Sequence, residues 1–365
     1  MLDLPVTARL YLRPIQFVDT PVGCDGEVAR LAGGLLWFSG YELIAVENGR
    51  RVLQRAVSIA EAEADPRLAP IAARITAPRA PLTLGARTLR FDQPQVMAIL
   101  NMTPDSFSDG GKHLGDAAAA AQAGVDMGIA GAAILDVGGE STRPGAETVW
   151  EGDEIARVVP VIERLAASGA AISIDTRKAA VMEAALAAGA HLVNDVSALL
   201  YDDRALEVVV RAGCPVVLMH AADPKQGAKG KGGYADPLIE VYDWLEARVA
   251  AVVAAGVDRS RIVIDPGIGF GKSLADNLAL MNGLALFHGI GCPILLGASR
   301  KRIVGALANE APAEARLGGS LALALKGVSL GVQLLRVHDA FESVQALRVW
   351  RGLQDAALTA PHAAL

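Results

Sequence analysis

Eight apolar, strand-like runs recur along this chain, and each of them ends on polar residues. They are Gln95–Thr103, Ala132–Asp136, Ala171–Asp175, His191–Asp195, Pro215–His220, Ile262–Asp265, Pro293–Ser299 and Gln333–Asp339. Segments of helical composition lie between them: Ala117–Ala130, Glu154–Ala167, Lys178–Ala188, Arg204–Ala212 and Pro237–Ala255, with Gly189 and Gly256 placed as C-caps. Strands alternating with helices predict a parallel sheet. Eight such units with nearly continuous apolar strands predict a closed (β/α)8 barrel of the TIM type over residues 93–355. A parallel barrel gathers the C-terminal ends of its strands at one mouth, so the scattered polar endings converge there.

The first 85 residues lack this rhythm and predict a small N-terminal α/β appendage. Arg9–Ile15 reads as a short strand, Gly34–Gly49 as a strand pair or a bent strand, and Val52–Ala64 as a short helix. A passage bearing Pro66, Pro70, Pro78 and Pro81 reads as a linker. No residue of the appendage suggests chemistry, so packing, stability or subunit contact is the expectation.

With 365 residues, 52% of them hydrophobic, the chain can bury a large core; aromatics are only 4%, so Ala, Val, Leu and Ile must fill it. A net charge of -6 argues against a general nucleic-acid surface. Cys24, Cys214 and Cys292 are too scattered for a disulfide framework or a zinc site. Neither a signal peptide nor a membrane span is visible, so a cytoplasmic protein is expected.

Asp136, Asp175, Asp195 and Asp265 all sit at strand ends, with Asn194 beside them. A strand-end Asp often only caps the following helix, but four of them exceed what capping requires. Converging acceptors suit a ligand rich in N–H donors, or else a metal, although no single element carries a metal-ligand spacing. Basic groups follow on the last two runs: Ser299-Arg300-Lys301, then Arg336 and His338 on one strand face. Barrels often bind phosphate beside these strands, which suggests a phosphoryl-bearing substrate. Leu334, Leu335 and Val337 place Arg336 in the barrel wall and not in a solvated charge run. Two loops, 101–111 and 138–145, combine Gly with Ser, Thr and Arg and read as mobile lids. A third, Asp265–Ser273, fails the Walker spacing because Pro266 stands where Gly is needed. Its glycines suggest close backbone approach to a ligand, with Phe270 as an apolar wall and Lys272 as a charge.

Together these segments closely resemble dihydropteroate synthase. The matching pieces are Asn101–Gly110, Asp136–Gly145, Ile174-Asp-Thr, Asn194-Asp-Val, Asp265–Lys272, Ser299-Arg-Lys and Arg336-Val-His-Asp. The resemblance implies a TIM barrel that condenses 6-hydroxymethyl-7,8-dihydropterin pyrophosphate with para-aminobenzoate, and that sulfonamides inhibit. It implies that Asp175, Asn194, Asp265 and Lys301 hold the pterin beside Asp136, that Asn101 binds Mg²⁺, and that Thr142, Arg143, Arg336 and His338 receive the pyrophosphate. Pro144, Phe270, Ser299 and Lys301 would border the aminobenzoate. Met219 and Lys272 complete the expected substrate-binding set, and Asp136, Asp175 and Lys301 the expected catalytic one. A homodimer is implied in the same way. The sequence departs from the family in the Lys/Gly-rich stretch Met219–Tyr234 and in Arg316-Leu-Gly-Gly-Ser320, where a Gly-Thr pair is usual. The alternative reading is a pterin-binding methyltransferase that uses methyltetrahydrofolate and a corrinoid partner. It would keep the carboxylates but has no need of the two anion-handling loops or Ser299-Arg-Lys.

Overall fold

The computed structural model describes residues 5–102, 116–141, 147–225, 227 and 231–359. Eight parallel strands build a nearly closed barrel: β7 (Gln95–Asn101), β8 (Ile134–Gly138), β9 (Ile172–Asp175), β10 (Leu192–Asp195), β11 (Val216–Met219), β12 (Ile262–Asp265), β13 (Leu295–Leu296) and β14 (Leu334–Val337). A four-stranded sheet and a hairpin, introduced below, precede them as β1 to β6. Each barrel strand pairs with its neighbour in sequence, β14 returns to β7, and an Ile264–Ile294 bridge joins β12 to β13. Around them run α3 (Ala117–Ala130), α4 (Glu151–Ala167), α5 (Ala179–Ala187), α6 (Ala205–Ala212), α7 (Pro237–Ala254), α8 (Leu274–Gly283), α9 (Arg302–Leu307), α10 (Leu317–Val328) and α11 (Ala340–Thr359).

The period of two along each strand sorts the barrel into layers. Outward residues such as Leu135, Ile174, Val193, Leu218 and Ile264 pack under the helices in the main core. Inward residues Met97, Ile134, Leu192, Val217, Val263, Leu295 and Leu334 form an apolar floor. Two residues further along the same strands stand Asp136, Asn194, Met219, Asp265 and Arg336. The polar layer is therefore one pleat repeat above a dry floor. A hairpin of β5 (Leu82–Leu84) and β6 (Arg87–Leu89) closes the floor from below, with Leu82, Leu84, Leu89 and Phe91 in the same cluster.

The appendage is an antiparallel sheet of β1 (Arg9–Val18), β2 (Ala29–Arg30), β3 (Trp37–Glu47) and β4 (Arg50–Ser58), followed by α1 (Ile59–Ala64) and α2 (Ala69–Thr76). One sheet face places Leu12, Tyr41 and Leu43 against the two helices, while Tyr11 and Ile44 on the other join the barrel core. Tyr11 donates to Asp243 of α7 at 2.9 Å, and Arg74 to the Gly289 carbonyl at 2.6 Å.

Two expectations for this region need correction, and a third narrows to one of its alternatives. Most of the helix expected over Val52–Ala64 is strand β4, since Asn48 and Gly49 both take positive φ and turn β3 back upon itself. Only Ile59–Ala64 is helical, started by a Ser58–Glu61 capping box. Of the two readings of Gly34–Gly49, the single strand fits: β3 runs from Trp37 to Glu47 with a register shift between Ala45 and Val46. The Pro-rich passage is not all linker, because Pro70 falls in the first turn of α2, where a missing N–H costs nothing.

Candidate active site

The inward polar layer is joined into one network. Arg336 on β14 donates Nε to Asp136 Oδ2 at 2.6 Å and Nη2 to Asp175 Oδ2 at 2.6 Å. Asn194 Nδ2 donates to the same Asp136 oxygen at 3.0 Å. Asp136 Oδ1 is buried and has no hydrogen-bond partner among the described residues. One guanidinium thus serves two buried carboxylates. Burial, reinforced by Asp136 and only partly opposed by Arg336, pushes the Asp175 carboxyl up to about 7. Arg336 itself, held between the two carboxylates, is pushed further up and stays charged. It was expected to meet an anion; here its Nε and Nη2 neutralise the carboxylates.

At the end of β12, Asp265 accepts from the Gly267 N–H at 2.7 Å, and burial raises its pKa. Lys301 donates to the Ile268 carbonyl and lies 4.4 Å from the centre of the Phe270 ring. Burial pushes the Lys301 ammonium down to about 8, against the pull of Asp265. Phe270 packs with Val196, Met219 and Ala221. Ser299 Oγ meets His338 Nδ1 at 3.1 Å and accepts from the His338 N–H at 3.2 Å. Asn101 lies at the end of β7, and its Oδ1 and Asp175 Oδ2 lie 3.5 and 3.6 Å from the place a side chain on Gly138 would occupy. The structure therefore joins Asp136, Asp175, Asn194 and Arg336 by hydrogen bonds, gathers Asp265, Lys301 and Arg336 around Gly297, packs Met219 with Phe270, and bonds Ser299 to His338. Thr142, Arg143 and Pro144 lie outside the described residues, as do 103–115 and 142–146 of the two expected lids.

Two expected participants are placed otherwise. Asp195 lies one residue past Asn194, on the outward face of β10. It accepts from the Ser197 N–H and Oγ, both at 2.7 Å, and from the Leu199 N–H at 2.8 Å, so it caps a turn. Three strand-end carboxylates converge, not four. Lys272 does not project as a free charge: its Nζ lies 2.8 Å from the Gly267 carbonyl, 3.1 Å from the His220 carbonyl, 3.3 Å from the Phe270 carbonyl and 2.9 Å from His220 Nδ1.

Sequence reasoning passed over a second buried group at the mouth. Lys178 Nζ lies 2.6 Å from Glu154 Oε2 and 3.1 Å from Glu140 Oε1, and donates to the Val149 carbonyl at 2.7 Å. Glu154 also accepts from Thr176 Oγ1 at 2.7 Å, and Glu140 pairs with Arg177 at 3.1 Å. This group ties both stems of loop 141–149 to the residues that follow Asp175. The visible signal was the charged run Thr176-Arg-Lys directly after a strand-end Asp. Likewise Ser320 Oγ accepts from the Arg300 N–H at 2.9 Å and Arg316 Nη1 donates to the Arg300 carbonyl at 2.9 Å, so the departing Arg316–Ser320 segment braces the turn that carries Ser299 and Lys301.

Among the described residues no cluster of three His, Cys, Asp or Glu could hold a metal, and no helix is long and apolar enough to cross a membrane.

A parallel (β/α)8 barrel with buried carboxylates and basic groups gathered at the C-terminal ends of its strands has the architecture of a TIM-barrel enzyme. The family model described as pterin binding enzyme matches residues 97–338, which leaves the appendage outside it. A dihydropteroate synthase of Escherichia coli strain K12 is 43% identical over 265 residues, covering 72% of this chain and 92% of the relative. The solved Xanthomonas albilineans dihydropteroate synthase with 4-aminobenzoic acid is 46% identical with a TM-score of 0.70, over 75% of this chain and 98% of that one. The same enzyme in complex with 7,8-dihydropteroate is 44% identical with a TM-score of 0.68, over 75% and 99%. The chain belongs to the dihydropteroate synthases, a family of transferases, and these relatives favour that activity over the methyltransferase alternative.

Proposed function

We propose that the two sides of the mouth divide the substrates of this synthase: the Asp136–Asp175–Asn194–Arg336 cluster takes the pterin with Asp265, and the Phe270–Ser299–Lys301 side takes para-aminobenzoate. The observation that supports the reading most is the buried, unpartnered Asp136 Oδ1 beside a carboxylate pair that shares one guanidinium. A pterin edge offers N–H groups to such acceptors, and a buried acceptor left without a donor costs about 1–3 kcal/mol. The solved complexes of relatives hold an aminobenzoate or the dihydropteroate product.

The chemistry follows from these charges. The bond from the pterin methylene carbon to pyrophosphate oxygen breaks, and the oxygen keeps the electron pair. The amine lone pair of aminobenzoate forms the new C–N bond, and the nitrogen then loses a proton. Asp136 and Asp175 favour the positive charge that the pterin ring shares as the leaving group departs. His338, held by Ser299, together with Thr142 and Arg143, would receive the pyrophosphate. The Asn101 amide oxygen, facing the same gap as Asp175 Oδ2 above Gly138, suits a hard cation that keeps most of its waters. When bound there, Mg²⁺ would offset the charge of the leaving pyrophosphate. No covalent enzyme intermediate is required.

The test is direct. Purified protein with Mg²⁺, the dihydropterin pyrophosphate and para-aminobenzoate should release dihydropteroate and pyrophosphate in equal amounts. A folded protein that releases neither would overturn the reading. A homodimer is also proposed. An exposed groove of about 500 Å³ between α3 and α11, lined by Ile129, Phe341 and Val349, supports an apolar subunit contact. A monomer in sedimentation at working concentrations would count against it.

A further inference from the structure

The loop from Asp265 to Lys272 carries three glycines in left-handed conformation, Gly267 (φ 70°), Gly269 (φ 86°) and Gly271 (φ 67°). Such a backbone is conformationally permissive and does not hold one shape by itself. Three of its N–H groups are engaged: Gly267 with Asp265, Gly269 with Asn277 Oδ1 at 2.7 Å, and Phe270 with the Gly267 carbonyl at 3.2 Å. The loop is therefore not an anion nest, which needs those donors turned outward. Its carbonyls face ammonium groups instead. Lys301 takes the Ile268 carbonyl from one side, while Lys272 takes those of Gly267 and Phe270 from the other. Lys272 also binds the His220 carbonyl and His220 Nδ1 at the end of β11, and so links two loops. The approach is possible only because residue 267 is Gly, since a Cβ there would sit 1.8 Å from the His220 carbonyl oxygen. Trp244, edge-on at 4.9 Å between ring centres, and Tyr234 at 6.0 Å back the His220 ring.

From this arrangement we infer that Lys272 is a positioning residue for aminobenzoate recognition: it gathers the carbonyls of Gly267, Phe270 and His220 so that the Phe270 ring stays pinned beneath Lys301. It rests on the assignment of the Phe270 side of the mouth to aminobenzoate. Burial pushes the His220 imidazole down to about 3, so the ring is neutral and Nδ1 accepts. Burial also pushes Lys272 down to about 7, against the pull of Asp265, so near neutrality its nitrogen offers two or three N–H donors to four acceptors and at least one bond is shared. An apolar side chain at 272 removes all of these bonds at once and frees Phe270 to shift, while the hydrogen bonds that join Asp136, Asp175, Asn194 and Arg336 do not involve this loop. Misplacement of a binding wall by about 1 Å is enough to cost one to two powers of ten.

The experiment compares wild type, Lys272→Gln and Lys272→Met for KM of each substrate and for kcat. The expected result is a KM for aminobenzoate raised at least about tenfold in Lys272→Met, with Lys272→Gln between it and wild type because the amide keeps two N–H donors, while KM for the pterin pyrophosphate and kcat stay within about threefold. Equal loss for both substrates, or no change for aminobenzoate, overturns the inference. If Lys272→Met does not fold, Asn277→Ala, which releases the Gly269 N–H on the far side of the same loop, must show the same aminobenzoate-selective rise, and a normal KM there also overturns it. An inactive wild type would refute the synthase reading itself, which keeps the two failures apart.

Discussion

Arg336 and Asp136 stand 200 residues apart in the chain, yet Arg336 Nε lies 2.6 Å from Asp136 Oδ2. The ion pair joins the last barrel strand to the second, past the one strand between them, and Asp175 shares the same guanidinium. Replacing Arg336 by Met leaves two buried carboxylates without a cation. Breaking a buried pair in this way costs about 3–5 kcal/mol. Urea unfolding of Arg336→Met should show a loss of that order, and an unchanged midpoint would mean that the pair contributes little.

The pH dependence of stability has a defined sign at Asp175. Its folded-state pKa, about 7, is above the ordinary carboxyl value of 3.8. Between these values the native state binds more protons than the unfolded chain, so this group's contribution is complete below about pH 4 and is lost as pH rises toward 7. Asp175→Asn removes that slope. Melting temperatures across pH 4–7 should therefore shift in favour of the variant as pH rises, and parallel curves would contradict the raised pKa.

Asp175→Ala and Phe270→Ala should separate the two substrates. Loss of an acceptor to a charged hydrogen bond weakens binding by about 1.5–3 kcal/mol. Asp175→Ala should accordingly weaken pterin binding about ten- to a hundredfold, whereas Phe270→Ala mainly weakens aminobenzoate binding, by about 1–3 kcal/mol from lost apolar contact. Calorimetry with each ligand reads both. Equal losses in both variants would remove the division of the mouth.

Lys178 is the cation of a second buried group, and Glu154 beneath it is fully buried. Lys178→Met should destabilise by about 3–5 kcal/mol because Glu154 is left unpaired. The double variant Lys178→Met/Glu154→Gln should recover much of that loss, since the amide needs no counter-charge. A double variant as unstable as the single one would show that packing, not charge, sets the cost.

The barrel and most of the site were legible because they rest on local rules. Apolar runs and Gly caps gave the strands and helices, and strand ends marked the mouth. What escaped was partner choice. Nothing near Arg336 reveals that its Nε and Nη2 go to carboxylates on β8 and β9 and not outward to an anion. Lys272 reads as a free charge until the carbonyls of a loop and of a neighbouring strand close around it. Asp195 was misplaced although the alternation that puts Asn194 inward must put its neighbour outward. In the appendage, Asn48-Gly49 was a visible hairpin signal that outweighs the helical composition after it.

The dry floor beneath the polar layer makes strand parity an inherited constraint. If one residue were deleted from β10 ahead of Asn194, Asp195 would take the inward place and the amide the outward one, and a neutral donor to Asp136 would become a third anion beside it. Helices and loops around this barrel can lengthen without altering the charge of the mouth. The strands can change only in steps of two.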